Sequence, residues 1–432
     1  MYDDPPDSRR MALDILSAVL HHGRPLDEVL AFHRGLPRLE PRDRAFARML
    51  VATVLRRLGQ IDTLVGEALD KPLRPGQGRV REALRIGAAQ LLFLDVPDHA
   101  AVSTTVNLMT GKQRQQRGLV NAVLRRLSQG GPELLAAQDA ARLNTPNWLW
   151  ESWTAAYGEA TARAIAQSHL AEPPLDLSVR EDPAHWADRL DAEMLPNGSL
   201  RIPRPRGEVS KLPGYADGAW WVQDMAAALP ARLLGQVRGK RVVDLCAAPG
   251  GKTAQLAAAG AEVVAVDRSE KRLEQLSLNL GRLGLSAATV AAEATTWSPP
   301  EPAGFVLLDA PCTATGTLRR HPDIAQLKRP EDIGTLAEVQ AALLASAVDM
   351  LAPGGVLVFA VCSLQPEEGP RQIEALLDAG APVARKPIDA NEIGGLREAV
   401  TREGDLRTLP CHLAAKGGMD GFYACRLIRK GS

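Results

Sequence analysis

Apolar residues recur at helical spacing through the first 130 positions of the chain. After Ser8, which the pattern makes an N-cap, Ala12, Ile15, Leu16, Val19 and Leu20 form one stripe that stops at Gly23. Pro41 opens a second helix whose inner face is Phe46, Met49, Leu50 and Val54. A third is predicted from about Gln77 through Val80, Leu84, Ala88 and Leu91, and amphipathic segments follow at 100–109 and 118–127. Short Pro- and Gly-containing connections predict a compact all-α bundle. The breaker cluster Gln129-Gly130-Gly131-Pro132 predicts its end, so a helical domain is expected over 5–130.

The pattern then changes twice. Residues 132–170 read as connecting helices with Trp148, Trp150 and Trp153 clustered. The Pro-rich stretch 171–224 holds two short strands, at 175–179 and 220–222, and reads with those helices as a connecting region and small α+β subdomain over 131–224. From Lys240 onward, fully apolar strands (RVVDLC, AEVVAVD, FVLLDAP, GGVLVFAVC) alternate with helical segments at 272–280 and 337–351. Such alternation predicts an α/β domain over 225–432, with a mostly parallel sheet covered on both faces. Ligands in such sheets bind beyond the C-terminal ends of the strands.

Composition narrows this picture only a little. Hydrophobic residues make up 45% and charged residues 24%, as in ordinary globular protein. No apolar run reaches the roughly 18 residues of a membrane span, and the N-terminal MYDDPPDSRR lacks the apolar core of a secretory signal. A cytoplasmic protein without membrane contact is expected. Net charge is zero, but residues 1–130 carry 20 Lys and Arg against 14 Asp and Glu, and the remainder carries 31 against 37. A basic front half is compatible with phosphate contacts and equally with well-solvated helices. The five cysteines, at 246, 312, 362, 411 and 425, have no zinc-type spacing, so no metal site is expected and the thiols are free.

Candidate chemistry concentrates at strand ends. DLCAAPGGKT (244–253) follows a strand and opens a helix, where free N–H groups and small residues allow close backbone approach to a ligand. A P-loop would need Gly where Cys246 stands, and the dinucleotide fingerprint G-x-G-x-x-G is missing. A nucleoside-type cofactor fits better. Asp267 ends the next strand 16 residues after Gly251, near the spacing for a ribose contact. Glu293, after the third strand, could reach an adenine amino group, and Asp309 ends the fourth. Cys312 and Cys362 follow two strands expected to be neighbours, so both thiols should face one pocket. Paired thiols suit covalent catalysis on a pyrimidine, whose carbon 5 becomes nucleophilic once a thiolate adds at carbon 6. The carbon-5 proton must then leave, which calls for a base. Asp309 could hold the Watson–Crick edge. Cys246 reads as a structural loop residue, and Cys411 and Cys425 as packing. Arg319, Arg320 and His321, beside Cys312, could contact phosphates or form a solvated loop.

DLCAAPGGKT, DAPCTATGTLRRHPDI, VCSLQPEEG and DGFYACRL resemble the RNA cytosine-5 methyltransferases. The RRHPD tract is similar to the bacterial branch that acts on small-subunit (16S) ribosomal RNA. SRRMALDIL, RDRAFARMLVATVLRRL, ALRIGAAQLLFLD and GLVNAVLRRL resemble a NusB-type RNA-binding domain. The resemblance covers essentially the whole chain. It implies an α/β Rossmann-like class I methyltransferase domain, with a mostly parallel seven-stranded sheet, behind an all-α NusB-like domain. It also implies S-adenosylmethionine as cofactor, and a substrate of naked or partly assembled ribosomal RNA. Carried onto this sequence, Cys362 is the nucleophile and Cys312 the thiol needed for product release. The analogy with DNA cytosine methyltransferases would reverse them. Cys246, Ala247, Ala248, Pro249, Gly250, Gly251 and Lys252 form the loop at the methionine end, with Lys252 also counted as catalytic. Asp267 holds the ribose, and Asp309 is shared by cofactor and substrate. Departures are Glu293 where the family has Asp, a longer carboxylate that should still reach the adenine, and Val361 for Thr and Thr313 for Ser, neither of which removes a reacting group. A monomer is expected. The alternatives are an RNA-binding factor with an inactive methyltransferase body, or a methyltransferase for small molecules or proteins. The latter leaves the helical front domain and the paired thiols without a role.

Overall fold

A computed structural model describes residues 7–204 and 207–431. The expected domain start at residue 5 and most of the acidic N-terminal stretch lie outside the described residues. Two compact units emerge: one runs to Thr154 and adds Ala162–Ala171 and Arg320–Arg329; the other holds Ala155–Thr161, Glu172–Arg319 and Pro330 onward.

The first unit is helical. Its elements are α1 (Ser8–Leu20), α2 (Leu26–Phe32), α3 (Pro41–Arg56), α4 (Leu58–Ala68), α5 (Gly78–Leu92), α6 (Asp98–Asn107), α7 (Arg117–Ala137), α8 (Ala140–Leu143), and most of α9 (Asn147–Tyr157) and of α10 (Glu159–Ser168). Buried faces of α1, α3, α4, α5 and α7 converge on one core that includes Ile15, Leu50, Ile61, Leu84 and Leu124. Several expectations need correction. Asp7, not Ser8, caps α1 by accepting from the Arg9 N–H, and Ser8 is buried inside the first turn. Met49 points outward at 43% exposure, while Ala47 and Val51 join Leu50 and Val54 on the inner face. α2 and α4, short and weakly marked, had no counterpart in the expected pattern. Above all, Gln129–Pro132 is not a break: α7 runs through it. Gly131 continues the buried stripe of Val120, Val123, Leu124 and Leu127, and sits so close to Leu92 that an added Cβ would lie 2.9 Å from its Cδ2. Burial of that stripe outweighs the single N–H that Pro132 withholds. Of the three tryptophans, Trp153 alone is fully buried, its ring 5.5 Å from that of His169.

The second unit starts with a four-stranded antiparallel sheet in the order β2-β3-β1-β4, from β1 (Leu175–Val179), β2 (Glu193–Met194), β3 (Leu200–Ile202) and β4 (Trp220–Val222), with α11 (Pro183–Leu190) after β1. α12 (Leu229–Arg232) leads to the main sheet. This comprises β5 (Arg241–Leu245), α13 (Gly251–Ala258), β6 (Glu262–Asp267), α14 (Glu270–Leu283), β7 (Ala288–Ala291) and β8 (Ala303–Asp309). The short α15 (Ile324–Leu327) lies in the segment that belongs to the helical unit. α16 (Pro330–Asp349), β9 (Leu351–Val361), α17 (Pro370–Asp378), β10 (Val383–Arg385), β11 (Leu406–Thr408) and β12 (Phe422–Arg429) complete the chain.

The order is β10-β12-β9-β8-β5-β6-β7, with β11 paired to β12. The five strands from β9 to β7 are parallel, and β12 runs antiparallel to β9. Successive residues of the central strands serve opposite faces: Val242, Leu307 and Val358 on one, Val243, Leu308 and Phe359 on the other. That explains the continuous apolar runs. The chain leaves β5 toward β6 and β7, then returns on the other side through β8 and β9. Register aligns Leu245 with Val266 and Leu308, and Asp309 with Ala360. The C-terminal ends of β5, β6, β8 and β9 therefore form one edge, at the point where strand order reverses.

Candidate active site

Residues 246–252 leave that edge at the end of β5. Cys246 takes a left-handed conformation (φ 59°) and the Ala248–Pro249 peptide is cis. Gly250 has φ 101°, and a Cβ there would meet Leu276 at 2.7 Å, so the backbone and the packing of α14 both demand glycine. At Gly251, the first residue of α13, a Cβ would make only ordinary contact with Gln223. The glycine pair thus divides its work: one shapes the turn, the other leaves the helix start open.

Asp267, at the end of β6, is buried and already engaged. It accepts from the N–H groups of Ala248 (3.1 Å) and Ser269 (2.9 Å), and Arg272 stands 3.5 Å from its Oδ2. Arg272 also donates to the Ala248 carbonyl. These bonds hold the loop against β6 and leave the carboxylate capacity for a hydroxyl group, since ionised carboxylates offer about four acceptor positions. A cavity of about 110 Å³ opens beside it, lined by Cys246, Asp267, Arg268, Glu293, Val339 and Leu343 among others. Carboxylates and apolar side chains in one lining suit a ribose and a flat base. Glu293 lies on this cavity with an exposed side chain. Burial, with Asp309 and Asp267 nearby, pushes the Cys246 thiol up to about 12, so it stays protonated.

Below the loop, Asp244 is fully buried. It accepts from Thr253 Oγ1 at 2.6 Å, while its Oδ1 has no hydrogen-bond partner among the described residues. Burial raises its pKa to about 7. Lys252 turns toward β8 and donates to Asp309 Oδ2 at 2.7 Å, with its ammonium 5.1 Å from the Phe422 ring centre. Burial disfavours the Lys252 charge, but the Asp309 carboxylate outweighs it and the pKa rises; the Cys362 charge contributes in the same direction.

Cys312 and Cys362 meet as their neighbouring strands require: the two sulfurs are 3.5 Å apart. The hydrogen bond with Cys362, and then burial, hold the Cys312 thiol well above its ordinary pKa. The structure thus brings together Cys246, Lys252 and Asp309 around the end of β5, and Cys312 with Cys362 beside them; Asp267 and Glu293 border the adjoining cavity. Cys425 is wholly buried on β12, and Cys411 is half-buried.

Arg319 fits neither of its two expected readings, a phosphate contact or part of a solvated loop. It is 1% exposed, and its Nε lies 3.3 Å from Asp420. A guanidinium enclosed with a carboxylate holds structure rather than solvent-borne phosphate. His321 pairs with Asp27 within the helical unit, where Asp323 also accepts from the Leu26 N–H.

Sequence reasoning did not single out Glu368. Set in the PEEG turn after Cys362, it is fully buried and accepts from Thr313 N (2.8 Å), Thr313 Oγ1, Ser363 Oγ (2.5 Å) and Gln340 Nε2 (3.1 Å). The motif VCSLQPEEG contains it, but nothing in the local sequence separates a buried glutamate there from a solvated one.

Known proteins agree with this architecture. The family described as 16S rRNA methyltransferase RsmB/F matches residues 231–428, and the NusB family matches residues 6–129. A protein named ribosomal RNA small subunit methyltransferase B from Pseudomonas putida is 37% identical over 98% of both chains. A protein of the same name from Escherichia coli is 35% identical over 98% of both. The crystal structure of PH0851 shares the fold, with a TM-score of 0.77 and 22% identity over 97% of this chain and 98% of that one. The chain therefore belongs to the family of ribosomal RNA small subunit methyltransferase B, in which a NusB-type region precedes the methyltransferase region.

Proposed function

We propose that the protein methylates carbon 5 of a cytosine in 16S ribosomal RNA, using S-adenosylmethionine and a covalent bond between Cys362 and the base. The observation that carries this reading is the thiol pair, 3.5 Å apart, at the ends of adjacent parallel strands beside the 246–252 loop.

Asp267 and Glu293 would hold the ribose and adenine of the cofactor, with Cys246–Lys252 and Asp309 toward its methionine end. When bound, S-adenosylmethionine supplies an electrophilic methyl group on a sulfonium. The chain's own residues prepare the ring. The Cys362 thiolate forms a bond to carbon 6, and the ring's π electrons shift toward nitrogen 3, where a proton or hydrogen-bond donor stabilises them. Asp309, tied to Lys252, is the polar group for the Watson–Crick edge. At the end, the carbon-5 proton leaves to a base, its electron pair restores the 5–6 double bond, and the bond from carbon 6 to Cys362 breaks.

The resemblance gives the attack to Cys362, and the hydrogen bond between the two sulfurs gives Cys312 a part in it. Cys312 is held protonated chiefly by its bond to the Cys362 sulfur, so it can stabilise a neighbouring thiolate as a donor. Once that sulfur is bound to carbon 6, the main cause of the raised pKa is gone. Cys312 can then give up its own proton to water and, as a thiolate, take the carbon-5 proton during release.

The test is methyl transfer from labelled S-adenosylmethionine to unmodified small-subunit RNA, followed by bisulfite sequencing. A single protected cytosine, absent with Cys362→Ala, is expected. Label on another base, on protein, or nowhere would overturn the assignment.

A further inference from the structure

The two reacting thiols sit on separate loops, and neither loop has regular structure to hold it. Residues 310–314 follow β8, and residues 362–365 follow β9. The backbone bonds joining these loops are Ala310 N–H to the Ala360 carbonyl and Gly316 N–H to the Cys362 carbonyl. Among the side chains, Ser363 Oγ lies 3.1 Å from Thr313 Oγ1 and 3.3 Å from Thr315 Oγ1, and four further bonds converge on one group. Glu368 takes Thr313 through its N–H and hydroxyl, and Ser363 through its hydroxyl. Each of these residues is the immediate neighbour of a cysteine. Gln340, from α16, donates to the same carboxylate and to the Pro311 carbonyl at 2.9 Å. Ser363 Oγ also accepts from the Gln365 N–H, and Thr315 Oγ1 from the Leu364 N–H, both at 3.0 Å.

Four donors on a buried, acceptor-only group describe an ionised carboxylate with its acceptor positions filled. Such charge-assisted bonds are short and directional. They fix Thr313 against Ser363, and hence Cys312 against Cys362. We propose that Glu368 is a positioning residue, which sets the separation and orientation of the two thiols by binding the residue after each. It touches neither sulfur. The inference rests on the two-thiol reading above.

The consequences follow from the geometry. Glu368→Ala removes the common acceptor and leaves the buried Thr313 N–H unpaired. The two loops are then left with the contacts of the Ser363 hydroxyl to those of Thr313 (3.1 Å) and Thr315 (3.3 Å), the Leu364–Thr315 bond and the two backbone bonds. Glu368→Gln keeps the shape and one carbonyl acceptor, and the hydroxyls of Thr313 and Ser363 can rotate to accept from its amide. Gln is therefore the conservative substitution, expected to restore most of the function. Thr313→Val removes one strut and leaves the carboxylate in place.

The experiment uses the full chain and two readouts. The first is steady-state methyl transfer to unmodified small-subunit RNA, with binding of S-adenosylmethionine measured separately by calorimetry. Glu368→Ala is expected to lower kcat by about 100-fold, as an ångström-scale misplacement of reacting groups does, with cofactor affinity and RNA KM within about threefold. Glu368→Gln should regain at least about tenfold of that loss, and Thr313→Val should fall between them. The second readout needs neither RNA nor methyl transfer: the rate at which diamide, a thiol oxidant that is itself reduced to the hydrazine, closes a disulfide between Cys312 and Cys362. Mass spectrometry of peptides follows it, with Cys411 and Cys425 as internal controls. Wild type should cross-link quickly and Glu368→Ala at least about tenfold more slowly, because the thiols no longer share one geometry. Should Glu368→Ala and Thr313→Val both match wild type in kcat and in cross-linking, Glu368 does not position the thiols. Loss of cofactor binding in parallel with kcat, without rescue by Gln, would likewise overturn the proposal in favour of general support of the fold. An inactive wild type whose thiols nonetheless cross-link in a Glu368-dependent way would leave the positioning role standing and remove the two-thiol reaction.

Discussion

Asp244, Cys246, Lys252 and Asp309 lie close together around the end of β5. Burial foremost raises the pKa of Asp244 and Cys246, while at Lys252 the Asp309 carboxylate raises it against burial. Asp244 gives this a measurable sign. Its pKa rises from 3.8 to about 7 on folding, because a buried carboxylate with one bonded oxygen is costly to ionise. A raised folded pKa means that the native state binds the extra proton. Its contribution is therefore complete below pH 3.8 and is lost as pH rises to about 7, worth at most about 4 kcal/mol. Asp244→Asn cannot titrate. Thermal melts of the two proteins should diverge as pH is raised from about 4 to 7, with wild type losing stability relative to the variant. Parallel melting curves across that range would show that Asp244 is not the buried acid described here.

The same residues show how far single positions were legible. Cys246, Cys312, Cys362, Asp267 and Asp309 could be picked out because each ends a strand or lies in a turn just beyond one, where such sheets bind ligands. Lys252, in the first turn of α13, came with the loop that the resemblance marks. Burial was not legible in that way. Arg319 and Glu368 have the composition of solvated turns, and only tertiary partners (Asp420 for one, Thr313 and Ser363 for the other) make them interior groups.

At the scale of elements, the turn between β5 and α13 is the most constrained piece of backbone. Gly250→Ala would place a methyl group at φ 101° and against Leu276 at 2.7 Å. Left-handed strain and overpacking each cost about 1–3 kcal/mol. A drop of several degrees in the thermal midpoint is expected, with weakened S-adenosylmethionine binding, as calorimetry would show. Unchanged stability and affinity would mean that the turn adapts and that glycine is not required. Strand limits were readable where apolar runs are bounded by polar turns: β1 and β4 fall at the expected 175–179 and 220–222. Helix limits were less so. A Gly-Gly-Pro cluster usually ends a helix, yet α7 passes through it because Gly131 fits against Leu92 and Leu135 still packs on the core. Local propensity lost there to a buried stripe that only the neighbouring helices define.

For the whole molecule, the uneven charge distribution matters more than the net value of zero. The front 130 residues hold 20 Lys and Arg against 14 Asp and Glu, and Arg34, Arg42 and Arg48 are exposed on or near α3. If this unit anchors RNA through phosphates, affinity for small-subunit RNA should fall at least about tenfold between roughly 50 and 200 mM salt. Charge reversal at Arg42 and Arg48 together should flatten that dependence. Filter binding across a salt series checks both; salt-insensitive binding would place RNA affinity elsewhere.

If Cys362 bonds to the RNA and Cys312 releases it, covalent trapping separates the two roles. Cys312→Ala, Cys362→Ala and the double variant are each incubated with unmodified small-subunit RNA and S-adenosylmethionine, then resolved on a denaturing gel. An RNA–protein adduct that accumulates with Cys312→Ala and vanishes in the double variant is the predicted result. An adduct trapped only by Cys362→Ala would contradict it and exchange the roles of the two thiols.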